Sequence, residues 1–198
     1  MRAKLAFGAA NTASDTQLEQ LIETSSRWIE KYCGRRFYGA PETRYYTADD
    51  DFEIVVDDLT SVSVLKTDDN ADGVFETTWP STSYLLKYGD NYNAAEDGKP
   101  YTQIEAALNG NRAFPTAVRR GVLVAGTFGY ASGTTAADAC PDPIHDAALL
   151  LAERLYKRKD APLGVAGAAP LGQQPVRITS MSADPDLRDL LAPYRRLV

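Results

Sequence analysis

The sequence predicts an α+β fold: a small antiparallel helical domain with an inserted antiparallel β-rich domain, closed by a C-terminal linker and a short helix. Three observations carry this. Apolar residues recur at helical spacing within residues 14–40 and again within 141–160. Residues 41–130 change to short runs of β-branched and aromatic residues separated by Asp, Asn, Gly and Pro. Residues 161–198 open as an Ala-, Gly- and Pro-rich tract and end on a leucine stripe.

Taken in order, residues 1–13 form an arm before the first element. Ser14 with Gln17 three residues on makes a capping box, and Asp15 adds first-turn negative charge. Leu18, Leu21, Ile22, Ser25, Trp28, Ile29 and Tyr32 follow at helical spacing, and Gly34 is the expected left-handed stop. The expected strands are Thr43–Thr47, Phe52–Val56, Val62–Thr67, Val74–Thr78, Tyr84–Tyr88, Tyr101–Ala106 and Val122–Phe128. After a flexible spacer, Asp142 caps the best helix and Pro143 occupies its first turn. Its apolar face is Ile144, Ala147, Ala148, Leu151, Ala152 and Leu155; Arg154, Lys157, Arg158 and Lys159 suit the negative end of its dipole. The two helices cover each other, with Leu21, Ile22, Trp28 and Ile29 expected against Ile144, Ala148, Leu151 and Leu155. A flexible linker follows, then the β-prone piece Val176–Thr179. Asp184-Pro185 is a second cap and first-turn pair, ahead of Leu187, Leu190 and Leu191.

Composition excludes several functions. The net charge is −6, from 10 basic and 18 acidic side chains in residues 1–100 against 11 and 9 in 101–198. An acidic body argues against duplex binding, which is dominated by phosphate neutralisation. No apolar run approaches the roughly 20 residues of a membrane helix, and the apolar part of the first eight residues is too short for a signal peptide. Two cysteines, Cys33 and Cys140, are not a disulfide framework. A reducing compartment is therefore the expectation.

Catalytic chemistry is not in view. The single histidine, His145, lies in the first turn of the second helix, with no partners for a triad or a zinc site. Gly126-Thr-Phe-Gly129 has neither the Walker ending nor the dinucleotide spacing. No catalytic residue and no cofactor is assigned. Asp68, Asn70 and Asp72, with Gly73, match the first half of a calcium loop. The twelfth position is Trp79 rather than Glu, although Glu76 stands within the stretch. A hairpin connection without metal is the favoured reading, and calcium the alternative.

Four segments in this order resemble one family. They are Ile29-Glu-Lys-Tyr-Cys-Gly-Arg-Arg-Phe37, Val124-Ala-Gly-Thr-Phe-Gly-Tyr130, Pro141–Pro143 leading into Ala147–Arg158, and Asp189-Leu-Leu-Ala-Pro-Tyr-Arg-Arg196. Together, over residues 14–40 and 120–198, they resemble the head–tail connector (adaptor) proteins of long-tailed bacteriophages. The resemblance implies a structural virion protein at the head–tail interface, assembled in the host cytoplasm. Such proteins form a homo-oligomeric ring, usually of twelve copies, beneath the portal protein. The ring extends the DNA channel without sequence-specific binding and receives the stopper or tail. On that reading Leu187, Arg188, Leu190, Leu191, Tyr194, Arg195 and Arg196 form a docking segment for the portal or a neighbour. The same leucines also fit a helix folded back on the chain's own core. A β-domain binding module, calcium-dependent or not, and a stopper or tail-completion protein are the alternatives.

Overall fold

The computed structural model describes residues 15–108, 110–130, 140–157, 165–166, 176–177 and 184–196. The arm, the Ser14 cap, the spacer, Arg158, Lys159 and most of the linker lie outside the described residues. The fold is α+β, and the chain divides into two compact units. Met1–Gly34 with Pro141–Val198 is the helical unit, and Arg35–Cys140 is the β unit.

In the helical unit, α1 spans Asp15–Cys33 and α2 spans Asp142–Lys157. A third helix, α3, spans Pro185–Leu191 and runs into a 3-10 turn, Ala192–Tyr194. Gly34 takes φ +66° directly after α1, the conformation a left-handed stop requires. Asp184 caps α3, its carboxylate accepting from the backbone N–H of Asp186 and Leu187. α2 begins one residue earlier than expected. Pro141 supplies the first accepting carbonyl, to Ile144 and His145, so Asp142 is already helical.

The buried face of α1 is Leu18, Ser25, Ile29 and Cys33; that of α2 is Ile144, Ala147, Leu151 and Ala152; that of α3 is Leu187 and Leu191. Leu21, Trp28, Ala148 and Leu155 are half-buried at the margin. Ile22 corrects the expected core: it is 36% exposed. Helical spacing identifies a stripe but not how far along it a partner extends. Ser25 holds a core position because its hydroxyl donates to the Leu21 carbonyl at 2.7 Å, leaving no unsatisfied donor.

The β unit holds one antiparallel sheet of six strands, in the order β1-β6-β2-β5-β4 with β3 paired to β2. The strands are β1 Ala40–Tyr46, β2 Glu53–Thr67, β3 Thr77–Trp79, β4 Tyr84–Lys87, β5 Tyr101–Ala106 and β6 Val122–Phe128. Two expected strands, separated in sequence by residues 57–61, which open with Asp57-Asp58, are one long strand, β2. That pair of acids reads locally as a turn, but each finds a distant cation, and register shifts between Val55 and Leu59 and between Val62 and Val64 let the strand bend. The first part of β2 pairs with β5, and the second pairs with β6 and β3. Val74, Phe75 and Glu76 belong to the loop before β3 rather than to a strand. Leu59, Leu65, Trp79, Ile104, Phe114, Val122, Val124 and Phe128 form the core of this unit. Trp79 stacks on Phe114 with centroids 4.5 Å apart.

The tract expected to be a flexible linker holds a two-residue antiparallel ladder, β7 Val165–Ala166 with β8 Val176–Arg177.

Candidate interaction surfaces

Charge in the β unit is organised by register. β4, β5 and β2 place Leu85 opposite Glu105 and Glu105 opposite Glu53, while Lys87 stands opposite Gln103 two pairs further on. Lys87 Nζ therefore reaches both carboxylates, at 2.6 Å to Glu53 and 2.7 Å to Glu105. Tyr92 donates its hydroxyl to Glu105 at 3.0 Å, and Gln103 donates its amide to Glu53 at 2.6 Å. The lysine side chain is buried, and its hydrogen bonds to Glu105 and Glu53 hold its pKa well above the usual lysine value. The hydrogen bond from Lys87, assisted by Tyr92, holds Glu105 below its ordinary 4.5.

A second network joins β1 to the first part of β2. Arg44 contacts Asp57 at 2.6 Å and Glu42 at 2.6 Å, and its guanidinium lies 4.4 Å over the Phe128 ring. Arg36 also binds Glu42 and donates to the Phe128 carbonyl at 2.7 Å. Hydrogen bonds from Arg36 and Arg44 hold Glu42 below the usual carboxylate range. Burial, with the Asp57 charge beside it, pushes Tyr46 up to about 12. Arg35 and Asp58 form a third pair, both side chains buried, at 3.5 Å.

These carboxylates set an acid dependence. Glu42 and Glu105 are held below 4.5 in the folded chain, so their contribution is complete above that pH and is lost as pH falls through the lowered folded values. Lys87, shifted upward, contributes throughout this range and loses its part only in strong alkali. The melting temperature should accordingly fall below about pH 4.5, and Glu42→Gln with Glu105→Gln should flatten that fall. An unchanged acid limb in the double variant would remove these two groups as its cause.

The Asp68–Gly73 loop turns its acids on itself. Asp68 is buried and accepts from the backbone N–H of Ala71 at 2.8 Å, Gly73 at 2.9 Å and Asn70 at 3.3 Å. Asp68, Asp72 and Glu76 can bring one oxygen each within 4.8 Å of one another. Asn70, however, points its amide N–H₂ at Asp72 and Glu76, offering donors where a cation needs oxygen. Calorimetric titration should show no calcium constant tighter than about millimolar. A micromolar constant that disappears in Asp68→Ala would overturn this.

The tail residues divide. Leu187 and Leu191 are 1% and 0% exposed, inside the helical unit. Leu190 is half-buried and Arg188 exposed. Arg154 of α2 pairs with Asp184 and, at 2.7 Å, with Asp186. Arg195 lies 5.2 Å over the Tyr32 ring, and the Arg196 N–H donates to the Cys33 carbonyl at 2.8 Å, satisfying an end group of α1. In this conformation Leu187 and Leu191 face their own unit and are not offered to a partner. Arg188, Leu190 and Arg195 keep accessible surface.

Sequence reasoning missed two surfaces. One is an aromatic and basic cluster in which Tyr45 packs 5.6 Å from Phe75 and lies 4.8 Å beneath Arg120. The other is an open depression of about 550 Å³ whose lining includes Asp49, Asp50, Phe52, Glu53, Val55, Glu105 and Leu108. Neither has a local motif, because strand register and loop packing bring the residues together. His145 is exposed, in the first turn of α2. Among the described residues no helix is long and apolar enough to cross a membrane.

This is a two-unit α+β chain whose polar networks tie strand to strand and helix to helix. No family model and no curated protein matches the sequence. Solved structures do match the fold. A chain from the "Neck of native GTA particle computed with C12 symmetry" aligns at TM-score 0.54 and 18% identity, covering 92% of this chain and 83% of that one. A chain from the "Neck of empty GTA particle computed with C6 symmetry" gives 0.57 and 20%, covering 100% and 87%. One from the "Virion of native gene transfer agent (GTA) particle" gives 0.52 and 20%, covering 97% and 84%. At these identities the likeness is one of fold.

Proposed function

We propose that this chain is a structural protein of a phage-like neck: a head–tail connector (adaptor) that forms a ring beneath the portal. The observation that carries the reading is the extent of the fold likeness, which spans 92–100% of this chain and 83–87% of the neck and virion chains it matches. Both units and their interrupted order are thus included. The twelvefold and sixfold symmetries named for two of those particles favour a closed ring of identical copies. Such a ring extends the DNA channel and receives the stopper or tail. An overall charge of −6 suits a channel through which DNA slides without sticking. The role is one of assembly, with no catalytic step, and its place is the virion after assembly in the host cytoplasm. Arg188, Leu190 and Arg195 are the tail residues with surface to give the portal or a neighbour. The test is electron microscopy of the protein bound to its portal. A closed ring of copies is expected, and one or a few copies per portal would sink the reading.

A further inference from the structure

We infer that the depression on the β unit receives the basic, apolar segment Arg2–Phe7 of a second copy of this chain. The inference rests on the ring reading above. The depression has exposed apolar walls at Phe52, Val55 and Leu108, and four acids in its lining, Asp49, Asp50, Glu53 and Glu105. No Lys or Arg is among its lining residues. Lys87 offsets part of the charge of Glu53 and Glu105, but Asp49 and Asp50 stand exposed at the rim. Its volume of about 550 Å³ lies within the range of about 300–1,000 Å³ common to ligand sites. Such a surface fits an extended segment that carries cations on one side and apolar groups on the other.

This chain contains that chemistry. Residues 1–14 include Arg2 and Lys4 and no acid. In an extended conformation Ala3, Leu5 and Phe7 fall on one side and Arg2 and Lys4 on the other, because successive side chains alternate. Several other basic stretches are engaged or mixed. Arg195 lies over Tyr32, the Arg196 backbone is held by Cys33, Lys157 pairs with Glu153, and Asp160 follows Arg158 and Lys159. Fourteen residues precede α1, a tether of up to about 50 Å when extended. Arm and depression are different surfaces, so one contact per copy is the head-to-tail kind that closes a ring.

The test uses portal-bound rings assembled from two full-length chains: one isotopically light with Phe7→p-benzoylphenylalanine, the other uniformly ¹⁵N-labelled without it. After irradiation, mass spectrometry should find light arm peptides joined to heavy peptides within residues 47–55 or 105–108. Asp49→Lys with Asp50→Lys in the heavy chain should cut that yield about tenfold, since like charges then face each other. Arg2→Glu with Lys4→Glu in the light chain should do the same without touching the depression. Rings whose arms cross-link elsewhere, or only within their own chain, or as strongly after both charge reversals, would overturn the contact and leave the neck reading standing. Failure of a ring to form with wild-type chains would count against the neck reading itself.

Discussion

Leu187→Ala combined with Leu191→Ala should unfold the helical unit at ordinary temperatures while the β unit keeps its melting transition. Both leucines are almost wholly enclosed, and a buried Leu→Ala change costs about 2–5 kcal/mol, transfer and cavity together. Two such losses reach about 4 kcal/mol or more, a large share of the roughly 5–15 kcal/mol that holds a domain folded. A seven-residue helix cannot compensate by itself, because isolated helices shorter than about 12–15 residues are marginal. The chain supplies its own reporters. It has two tryptophans, Trp28 in α1 of the helical unit and Trp79 in the core of the β unit. Trp79→Phe leaves fluorescence from the helical unit alone, and Trp28→Phe leaves that of the β unit. Truncation after Ser182 should act like the double substitution, whereas Arg188→Ala should change stability by no more than about 0.5 kcal/mol. If the double variant melts like its parent, α3 is not part of the unit and the tail is a free arm.

Gly126→Ala should be among the most damaging single methyl additions in the β unit. A Cβ at Gly126 would stand 2.1 Å from the Ser61 carbonyl oxygen and 3.1 Å from its carbon, both backbone atoms. Real Cβ contacts do not approach so closely, so β6 and β2 must part where the β2 register shifts. Overpacking ordinarily costs about 1–3 kcal/mol and sometimes more. With backbone as the obstacle, a cost near 3 kcal/mol is expected, lowering the melting temperature of a unit of about a hundred residues by roughly 12 °C or more. The fall should appear in Trp79 fluorescence. A variant that keeps its parent's transition would show that the two strands separate there without cost.

Legibility in the sequence followed how local each determinant is. The Gly34 stop, the Asp184-Pro185 start and the bounds of β5 and β6 depend on a few neighbouring residues, and these agree with the structure. Asp57 and Asp58 were misleading because Arg44 and Tyr46, which reach Asp57, and Arg35, which pairs with Asp58, lie far away in sequence. Lys87 gave no sign of its role, since nothing short of the β2–β5–β4 register places two glutamates beside it. The leucines of α3 announced only that they must be covered. Whether their own chain or a partner covers them is decided by packing, which no stripe encodes. Ile22 shows the opposite limit, a residue on a helical stripe with its side left open.

The base of the β unit is pinned shut. The Tyr130 N–H donates to the Arg36 carbonyl at 2.9 Å, the Gly129 N–H to the Asp58 carbonyl at 2.8 Å, and Phe37 packs 5.6 Å from Tyr130. Arg35 lies 5.1 Å over the same ring. For the helical unit, residues 35–140 are a single loop between α1 and α2. Were that loop slack, pairing the helices would mean closing about a hundred residues of free chain. Once the pin forms, only about a dozen residues of that chain remain between it and the helices, and the logarithmic closure cost falls by about 2 kcal/mol. Folding of the insert thus acts on the helices as a cross-link would, and α1–α2 pairing should trail β-unit folding in a refolding experiment.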